Sequence, residues 1–259
     1  MVTIEEIIKT KEELNKKWFD ITSENPNELK NTGLGFRFLE IDYAIKAIKD
    51  KDFQKAKQHF YTASLIDEIC IGKFNDNQLS YGLRSTCYPI LSDNEELIQR
   101  YAKLRYQPWG KMKGMDENIL LGKSDIWSNT IQFFMVNDNE GIERNLNIIE
   151  TKTLSKLPKN QKGLIIDYEF YKALYMGDKA QMEEVLEKLV SPKVHKKRSF
   201  NELHAQYISL LALGYAKLAW RKGIEVEVNT SLIPKELLPV QPNEKYEIPY
   251  DFLKENKHK

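Results

Sequence analysis

The side chains that could bind a metal ion or act as general bases are few in this sequence. It has four histidines, and none of them forms an i,i+4 pair or a His-Glu-x-x-His motif, the helical spacings that bring two imidazoles to one metal ion. We therefore expect no metal site and no cofactor, and we expect these histidines to pack against neighbours or to face solvent. They are His59, His195, His204 and His258.

The two cysteines give no indication of catalysis. Cys70 and Cys87 lie in apolar stretches, and neither has a histidine close to it in the sequence. Two cysteines are also too few for a disulfide framework or a four-thiolate zinc site. We expect both to be buried free thiols.

Other catalytic patterns are missing too. Residues 32–36, Thr-Gly-Leu-Gly-Phe, are the nearest approach to a phosphate-binding loop, but no strand precedes them and no Lys-Ser/Thr pair follows. Adjacent carboxylates such as Glu183 and Glu184 would point about 100° apart on a helix, so they do not form a shared acid–base site. We therefore predict that the protein is not an enzyme. Catalytic groups brought together from distant helices are the alternative.

Residues suited to binding a protein partner cluster in one irregular segment. Arg105, Tyr106, Trp109 and Lys111 include the residue types that are enriched at interface hot spots. The alternative is that Trp109 is an aromatic plug that packs a long loop onto the helices. On the sequence alone we favour the plug.

The densest basic run is Lys-Val-His-Lys-Lys-Arg at residues 193–198. We expect a solvated loop between two helices there. Contact with an acidic partner through Lys196, Lys197 and Arg198 is one alternative, and contact with nucleic acid is another. The run is short and has no interleaved aromatic residue for stacking on bases, so we do not expect nucleic acid as a partner.

The overall composition is that of a folded chain without a strong electrostatic field. Of 259 residues, 41% are hydrophobic, and 39 Lys and Arg balance 38 Asp and Glu to a formal charge of +1. The first residues lack the pattern of a signal peptide, and no stretch has the roughly 18 uncharged apolar residues that span a bilayer. We expect a cytoplasmic protein without membrane contact. Its oligomeric state cannot be read from the sequence.

Apolar residues recur mostly at intervals of three and four, which is typical of amphipathic helices. Thr3 followed by Glu6 matches a capping box, and Asn25-Pro26 ends the first helical pattern. We therefore predict an all-α fold, an array of antiparallel helix hairpins. The expected helices span about 4–23, 34–50, 53–72, 78–91, 94–106, 124–137, 139–154, 161–176, 179–190 and 200–222.

Three junctions between these helices share one pattern around an aspartate, namely Asp52, Asp138 and Asp178. Apolar residues stand seven and four positions before each aspartate and four and eight positions after it, so the aspartate can cap the second helix. The unit resembles the helix-turn-helix of tetratricopeptide-type repeats. Because the three junctions are unevenly spaced, we expect a loosely tetratricopeptide-like array without a regular period.

The chain is predicted to be a single helical domain of residues 1–259, or two packed halves. Residues 107–123 have the poorest helical pattern of the chain. If the chain divides, the halves are 1–106 and 124–259, joined by this irregular segment. It is either a linker or a functional loop.

After residue 223 the sequence becomes proline-rich, which predicts an extended tail docked on the helices. Residues 224–228 alternate apolar with acidic and could form at most one short strand, for which no partner strand is evident. In the preceding helix, small residues permit close helix packing and Gly223 can end the helix. Those small residues are Ala212, Gly214, Ala216 and Ala219.

Residues 212–226 read Ala-Leu-Gly-Tyr-Ala-Lys-Leu-Ala-Trp-Arg-Lys-Gly-Ile-Glu-Val, and two further segments follow at 232–238 and 246–253. With these three segments, the C-terminal part resembles the end of the immunity-protein family numbered 49 of bacterial polymorphic toxin systems. The resemblance implies a cytoplasmic protein that binds a cognate toxin and occludes it without catalysis. A helical-repeat interaction adaptor and an enzyme on a helical scaffold are the alternatives.

Overall fold

The fold is known from a computed structural model, which describes residues 3–81, 83–199 and 201–256. These residues form thirteen α-helices and no β-strand, so the predicted all-α architecture is confirmed. The helices are α1 (Ile4–Glu24), α2 (Leu29–Lys49), α3 (Phe53–Phe74), α4 (Cys87–Ser92), α5 (Glu95–Tyr101), α6 (Met115–Leu120), α7 (Asp125–Val136), α8 (Asn139–Ile148), α9 (Ile165–Met176), α10 (Lys179–Val190), α11 (Pro192–Arg198), α12 (Leu210–Arg221) and α13 (Asp251–Asn256).

The three aspartate turns join α2 to α3, α7 to α8 and α9 to α10, and they have the same geometry. Each aspartate carboxylate accepts the backbone N–H three residues later at 2.9–3.0 Å. Each aspartate N–H donates to the carbonyl five residues earlier at 2.8–3.0 Å. The preceding residue is left-handed in every turn, with φ of 60° at Lys51, 56° at Asn137 and 70° at Gly177.

A related turn joins α4 to α5, with a left-handed residue followed by a side-chain cap, although the Asn94 N–H donates to Ser92 Oγ at 3.1 Å and not to a carbonyl five residues earlier. Here Asp93 is the left-handed residue, with φ of 59°, and Asn94 is the cap. The Asn94 side chain accepts the N–H of Leu97 at 2.8 Å. Asparagine caps a helix about as well as aspartate, so Asn94 is a helix-capping signal of the same kind as the three aspartates.

Removing one of these caps should lower stability by a measurable amount. Asp178 is exposed and caps α10, so Asp178→Ala is expected to reduce the free energy of unfolding by about 1 kcal/mol in a urea titration. Asp178→Asn preserves the cap and should stay within about 0.5 kcal/mol of the original protein. Equal losses in the two variants would show that the cap is not the cause.

Two predicted helices are partly wrong. Within 78–91 the chain forms a 3₁₀ turn, Gln78–Ser80, and the α-helix begins only at Cys87. Ser80 Oγ donates to Asp125 at 2.7 Å and the carbonyl of Leu79 accepts from Ser128 at 2.8 Å, so these groups bond to α7 and not within a helix.

The predicted helix 200–222 also begins late, because α12 starts at Leu210. The Asn201 side chain accepts the N–H groups of Leu203 and His204 at 2.8 and 3.3 Å, which closes a local turn. Three helices were not predicted, α6, α11 and α13, and α6 lies within the segment 107–123 that was expected to be irregular. The other differences lie at helix ends. α2 starts at residue 29, α5 ends at 101, a π-helical turn follows α8, and a 3₁₀ segment at Lys159–Leu164 precedes α9.

Close packing of α12 against α4 depends on Gly214, as the small-residue pattern predicted. A methyl group added at Gly214 would lie 2.7 Å from Cys87 Cβ, well inside van der Waals contact. The flanking residues Ala212, Ala216 and Ala219 are buried as well. The two helices therefore approach to a distance that only glycine permits at this point.

Overpacking this contact should be costly. Gly214→Ala is expected to lower the free energy of unfolding by about 1–3 kcal/mol, because neither α12 nor α4 can shift without disturbing the core. Gly72→Ala is the matched control, since its Cβ would meet only Leu104 Cδ2 at 3.9 Å. Gly72→Ala should stabilise α3 by about 0.5–1 kcal/mol. A Gly214→Ala protein as stable as the original would contradict this account of the helix contact.

One large hydrophobic core includes buried residues from both sides of the 107–123 segment, such as Phe60 and Ile98 before it and Phe170 and Leu213 after it. A second, smaller cluster lies between α2, α3 and the tail, where Phe252 and Leu253 of α13 are buried. Buried residues on both sides of this segment therefore belong to the same core.

The tail is extended and docked, as predicted, although it ends in the short helix α13. No strand forms at 224–228. The tail is fixed by a buried charge cluster, in which Asp93 lies 3.0 Å from Lys57 Nζ and 2.7 Å from Lys217 Nζ. The same two ammonium groups donate to the tail carbonyls of Gln241 and Pro239, each at 2.6 Å.

No helix in the described parts of the chain combines the length and the apolar character that a membrane crossing requires.

Candidate functional site

The loop between α5 and α6 contains four of the seven residues predicted to bind a partner, and its base is firmly held. Tyr106 is buried, and its hydroxyl bonds to the Asp125 carboxylate and lies 2.8 Å from Ser80 Oγ. Asn118 Nδ2 donates to the same hydroxyl at 2.9 Å. Burial, together with the bond to Asp125, raises the pKa of Tyr106 to about 12, so the hydroxyl stays protonated.

Arg105 and Asn75 hold the two sides of this base. Arg105 donates from Nε to Asp116 at 3.0 Å and from Nη1 to Gln132 at 2.9 Å. Asn75 ends α3 in the left-handed conformation, and its side chain exchanges two hydrogen bonds with the backbone of Gln107. Arg105 is therefore bound within the protein itself, where it positions the loop.

Beyond this base, residues 109–112 form a tight turn, which we call the loop tip. Trp109 and Met112 exchange backbone hydrogen bonds at 3.1 and 2.9 Å, and Gly110 has φ of 58°, a conformation that suits glycine. Trp109 is 76% exposed and Met112 is 47% exposed. Lys111 is exposed between them. The loop tip therefore presents an indole and a thioether to solvent on an ordered backbone.

The interpretation of Trp109 as an aromatic plug is wrong. Tyr106 has that role instead, because it is 3% exposed and bonds to three residues of the helical body. The irregular segment contains one buried aromatic side chain, Tyr106, and one exposed aromatic side chain, Trp109. The sequence did not show which of the two is buried.

The basic run at 193–198 is also placed differently from the expectation. It is the helix α11, which starts at Pro192, and not a loop. Lys196 and Lys197 are exposed, whereas Arg198 Nη2 lies 2.7 Å from the buried carboxylate of Asp167. Asp167 also accepts the Tyr215 hydroxyl at 2.6 Å. Of the three cations, Arg198 is therefore tied into the core.

The two predicted clusters are not joined by direct contacts. Between described residues, no hydrogen bond or ion pair links residues 105–112 to α11. Each cluster is a separate surface feature.

The structure also contains a cavity of about 250 Å³ that no sequence pattern predicted. It lies among α2, the segment leading into α4, α11, Ser199 and residues 201–211. Three arginines line it, Arg37, Arg84 and Arg198, and the described lining contains no Asp or Glu. These arginines come from three distant parts of the chain with no common spacing, so no sequence signal could have grouped them.

The cysteines are buried free thiols, as predicted. Burial raises the pKa of Cys70 above its usual range and that of Cys87 to about 12. Because the thiolate is the nucleophilic form, neither thiol is activated. In the described part of the chain, no group of three or more His, Cys, Asp or Glu side chains is arranged to hold a metal ion.

The described histidines pair with neighbouring groups. His59 Nδ1 lies 2.7 Å from Glu40, and its ring stacks on Tyr43. His195 Nε2 lies 2.8 Å from the Ala205 carbonyl, and His204 Nε2 lies 2.6 Å from Asp42. His258 is outside the described residues.

A comparison with protein families matches this chain to one of them. The match, described as immunity protein 49, covers residues 44–237, about three-quarters of the chain. It includes the loop tip, α11 and most of the cavity lining, but Arg37, Phe38 and Ile41 of the lining precede it, and residues 246–253 of the C-terminal resemblance lie beyond it. Neither a curated protein nor a solved structure matches the chain. The chain belongs to the immunity protein 49 family.

Proposed function

We propose that this protein binds a cognate bacterial toxin and neutralises it by covering the toxin's active surface, without catalysis of its own. Membership of an immunity-protein family supports toxin neutralisation. The observation that carries the binding mode is the exposed indole of Trp109 on an anchored loop.

An exposed tryptophan on a fixed backbone is well suited to anchor a complex. Tryptophan, tyrosine and arginine are the residues whose truncation most often costs about 2 kcal/mol or more at an interface. Much of the Trp109 side chain is exposed to water in the free protein, so insertion into a pocket of the partner would bury most of that apolar area. Because Tyr106 and Asn75 already fix the loop base, less conformational entropy is lost on binding.

The charged residues have different proposed roles. Lys111, Lys196 and Lys197 are exposed, and we assign them to attracting and orienting an acidic toxin surface. Arg105 and Tyr106 act indirectly by holding the loop, and Arg198 acts indirectly by holding α11 through Asp167. Charges at the rim of an interface mainly change the association rate and its dependence on salt.

An enzyme on this helical scaffold is a second candidate, favoured by the cavity that gathers three arginines. It would need a general base or nucleophile near those groups. His195 and His204 line the cavity, but each already bonds a protein group through Nε2.

A helical-repeat adaptor is the remaining alternative. In a pull-down, an adaptor would capture several unrelated partners, whereas an immunity protein would capture one.

The direct test is growth rescue. The toxin module encoded beside this protein is expressed in sensitive cells with and without the protein, and an unrelated toxin serves as the specificity control. Immunity predicts growth with the neighbouring toxin only. Failure to restore growth, together with failure of the purified proteins to form a complex, would contradict the proposal.

A further inference from the structure

The arginine-lined cavity has the charge pattern of an anion site. Its described lining includes three guanidinium groups, two imidazoles and no carboxylate. The two aspartates that pair with these arginines, Asp67 and Asp167, lie outside the lining. The cavity surface itself is therefore positive, with the balancing charges placed behind it.

One donor at this cavity is buried and has no acceptor. Arg37 is 6% exposed, and its Nη1 donates to Asp67 at 3.1 Å. Its Nε is buried without a hydrogen-bond partner. An unsatisfied buried donor is costly, because it has given up its bonds to water without replacing them. Arg37 thus lines the cavity with hydrogen-bonding capacity that Asp67 does not fully use.

The Arg84 side chain is fixed by the backbone of Arg198, whose own guanidinium is bound to Asp167. Arg84 Nη1 donates to the Arg198 carbonyl at 3.1 Å, which ties the segment before α4 to the end of α11. Burial lowers the pKa of Arg84, and the positive charge of Arg198 lowers it further. Two like charges in a partly buried site repel, and an anion between them would relieve that repulsion.

The shape and the remaining walls indicate what kind of anion fits. At about 250 Å³ the cavity is smaller than the roughly 300–1,000 Å³ of sites for drug-sized ligands. Phe38, Tyr88 and Leu211 provide apolar wall, and Ser85 and Asn201 provide neutral polar groups. Guanidinium groups arriving from three elements suit a tetrahedral oxyanion better than a planar carboxylate, which presents only two oxygens.

We propose that this cavity binds the phosphate group of a small phosphomonoester. The inference does not depend on toxin binding, because no loop-tip residue is among the described residues that line the cavity. The protein would then have two separate recognition sites, the loop tip for a protein and the cavity for a phosphorylated small molecule or free phosphate.

Calorimetric titration of the full chain with three probes tests the proposal. Phenyl phosphate has the dianion and an apolar ring, inorganic phosphate has only the anion, and benzoate has the ring with a carboxylate. Phenyl phosphate should bind saturably and at least about tenfold more tightly than benzoate. Weaker binding of inorganic phosphate would point to an organic monoester as the ligand, and equal binding would point to free phosphate. Benzoate binding as tight as phenyl phosphate, or no saturable binding of either phosphate probe, would overturn the proposal.

Three variants locate the site. Arg84→Gln removes one guanidinium, and Asn201→Asp adds a negative charge at the cavity wall while its side-chain oxygen can still accept from Leu203 and His204. Each should weaken phenyl phosphate binding by about tenfold or more. Lys193→Gln removes an exposed cation from α11 outside the cavity and should change binding by less than about twofold. If Arg84→Gln does not fold, the phenyl phosphate affinity of Asn201→Asp alone tests the location of the site. Wild-type affinity in Asn201→Asp, or an equal loss in Lys193→Gln, would contradict the site.

Discussion

Replacing Trp109 with alanine is expected to weaken the complex with the cognate toxin by about 2 kcal/mol or more, which is roughly a 30-fold rise in Kd. The side chain is 76% exposed, so its removal should leave the fold unchanged while taking away the largest apolar group of the loop tip. Calorimetry or surface-based binding with purified partners measures the change. Thermal unfolding of the free variant should be within about 2 °C of the original protein.

A second exposed tryptophan provides the matched control. Trp18 is 46% exposed on α1, outside the residues that match the family. Trp18→Ala should change the toxin affinity by less than about 0.5 kcal/mol. If both variants lose the same affinity, or if Trp109→Ala binds as tightly as the original protein, the loop tip is not the anchor.

Replacing Asp93 with asparagine should have the largest effect on stability, a loss of about 3–5 kcal/mol in the free energy of unfolding. Asp93 is 1% exposed and is the carboxylate between the buried ammonium groups of Lys57 and Lys217. Asparagine adopts left-handed conformations readily, so the turn backbone is preserved and only the charge is lost. Two buried lysines would then lack their counter-charge. Urea unfolding followed by circular dichroism measures the loss.

An aspartate-to-asparagine substitution at an exposed cap shows how much stability this replacement costs where no buried charge is involved. Asp52→Asn retains a capping oxygen for the Lys55 N–H and should alter stability by about 0.5 kcal/mol at most. Adding Lys217→Met to Asp93→Asn should recover part of the loss, because one uncompensated charge leaves the core. Unchanged stability in Asp93→Asn would mean that this cluster does not fix the tail.

Local features of the fold were predictable because their causes lie within a few residues. The caps at Asp52, Asp138 and Asp178 bond to amides three positions later, and the capping box at Thr3 closes over the same distance. Helix ends and hairpin turns follow from such contacts. The Gly214 contact was indicated by small residues at helical spacing, although its neighbour Cys87 was not.

Features that depend on distant partners could not be predicted. Lys217 and Asp93 are 124 positions apart, and their pairing decides where the tail docks. Ser80 departs from a helical pattern because its hydroxyl bonds to Asp125, 45 positions later. The arginine cavity has the same origin, since Arg37 of α2 and Arg198 of α11 line one cavity only in the folded chain.

The loop shows where sequence reasoning reached its limit. The poor helical pattern correctly predicted that residues 105–111 form no helix, whereas their role in an interface stays a prediction. Whether an aromatic side chain faces inward depends on its partners, and those of Tyr106 include Asp125, 19 positions away. Only the folded structure separates the buried Tyr106 from the exposed Trp109.

The most direct test of neutralisation by binding is a titration of toxin activity in vitro. A fixed amount of purified toxin receives increasing amounts of this protein, and its remaining activity is measured at each ratio. Occlusion by a tight complex predicts a linear fall that is complete at about one equivalent, with full activity recovered once the complex is separated. Loss of activity at a small fraction of one equivalent, growing with time, would instead require catalysis by this protein. No loss of activity at a large excess would contradict binding altogether.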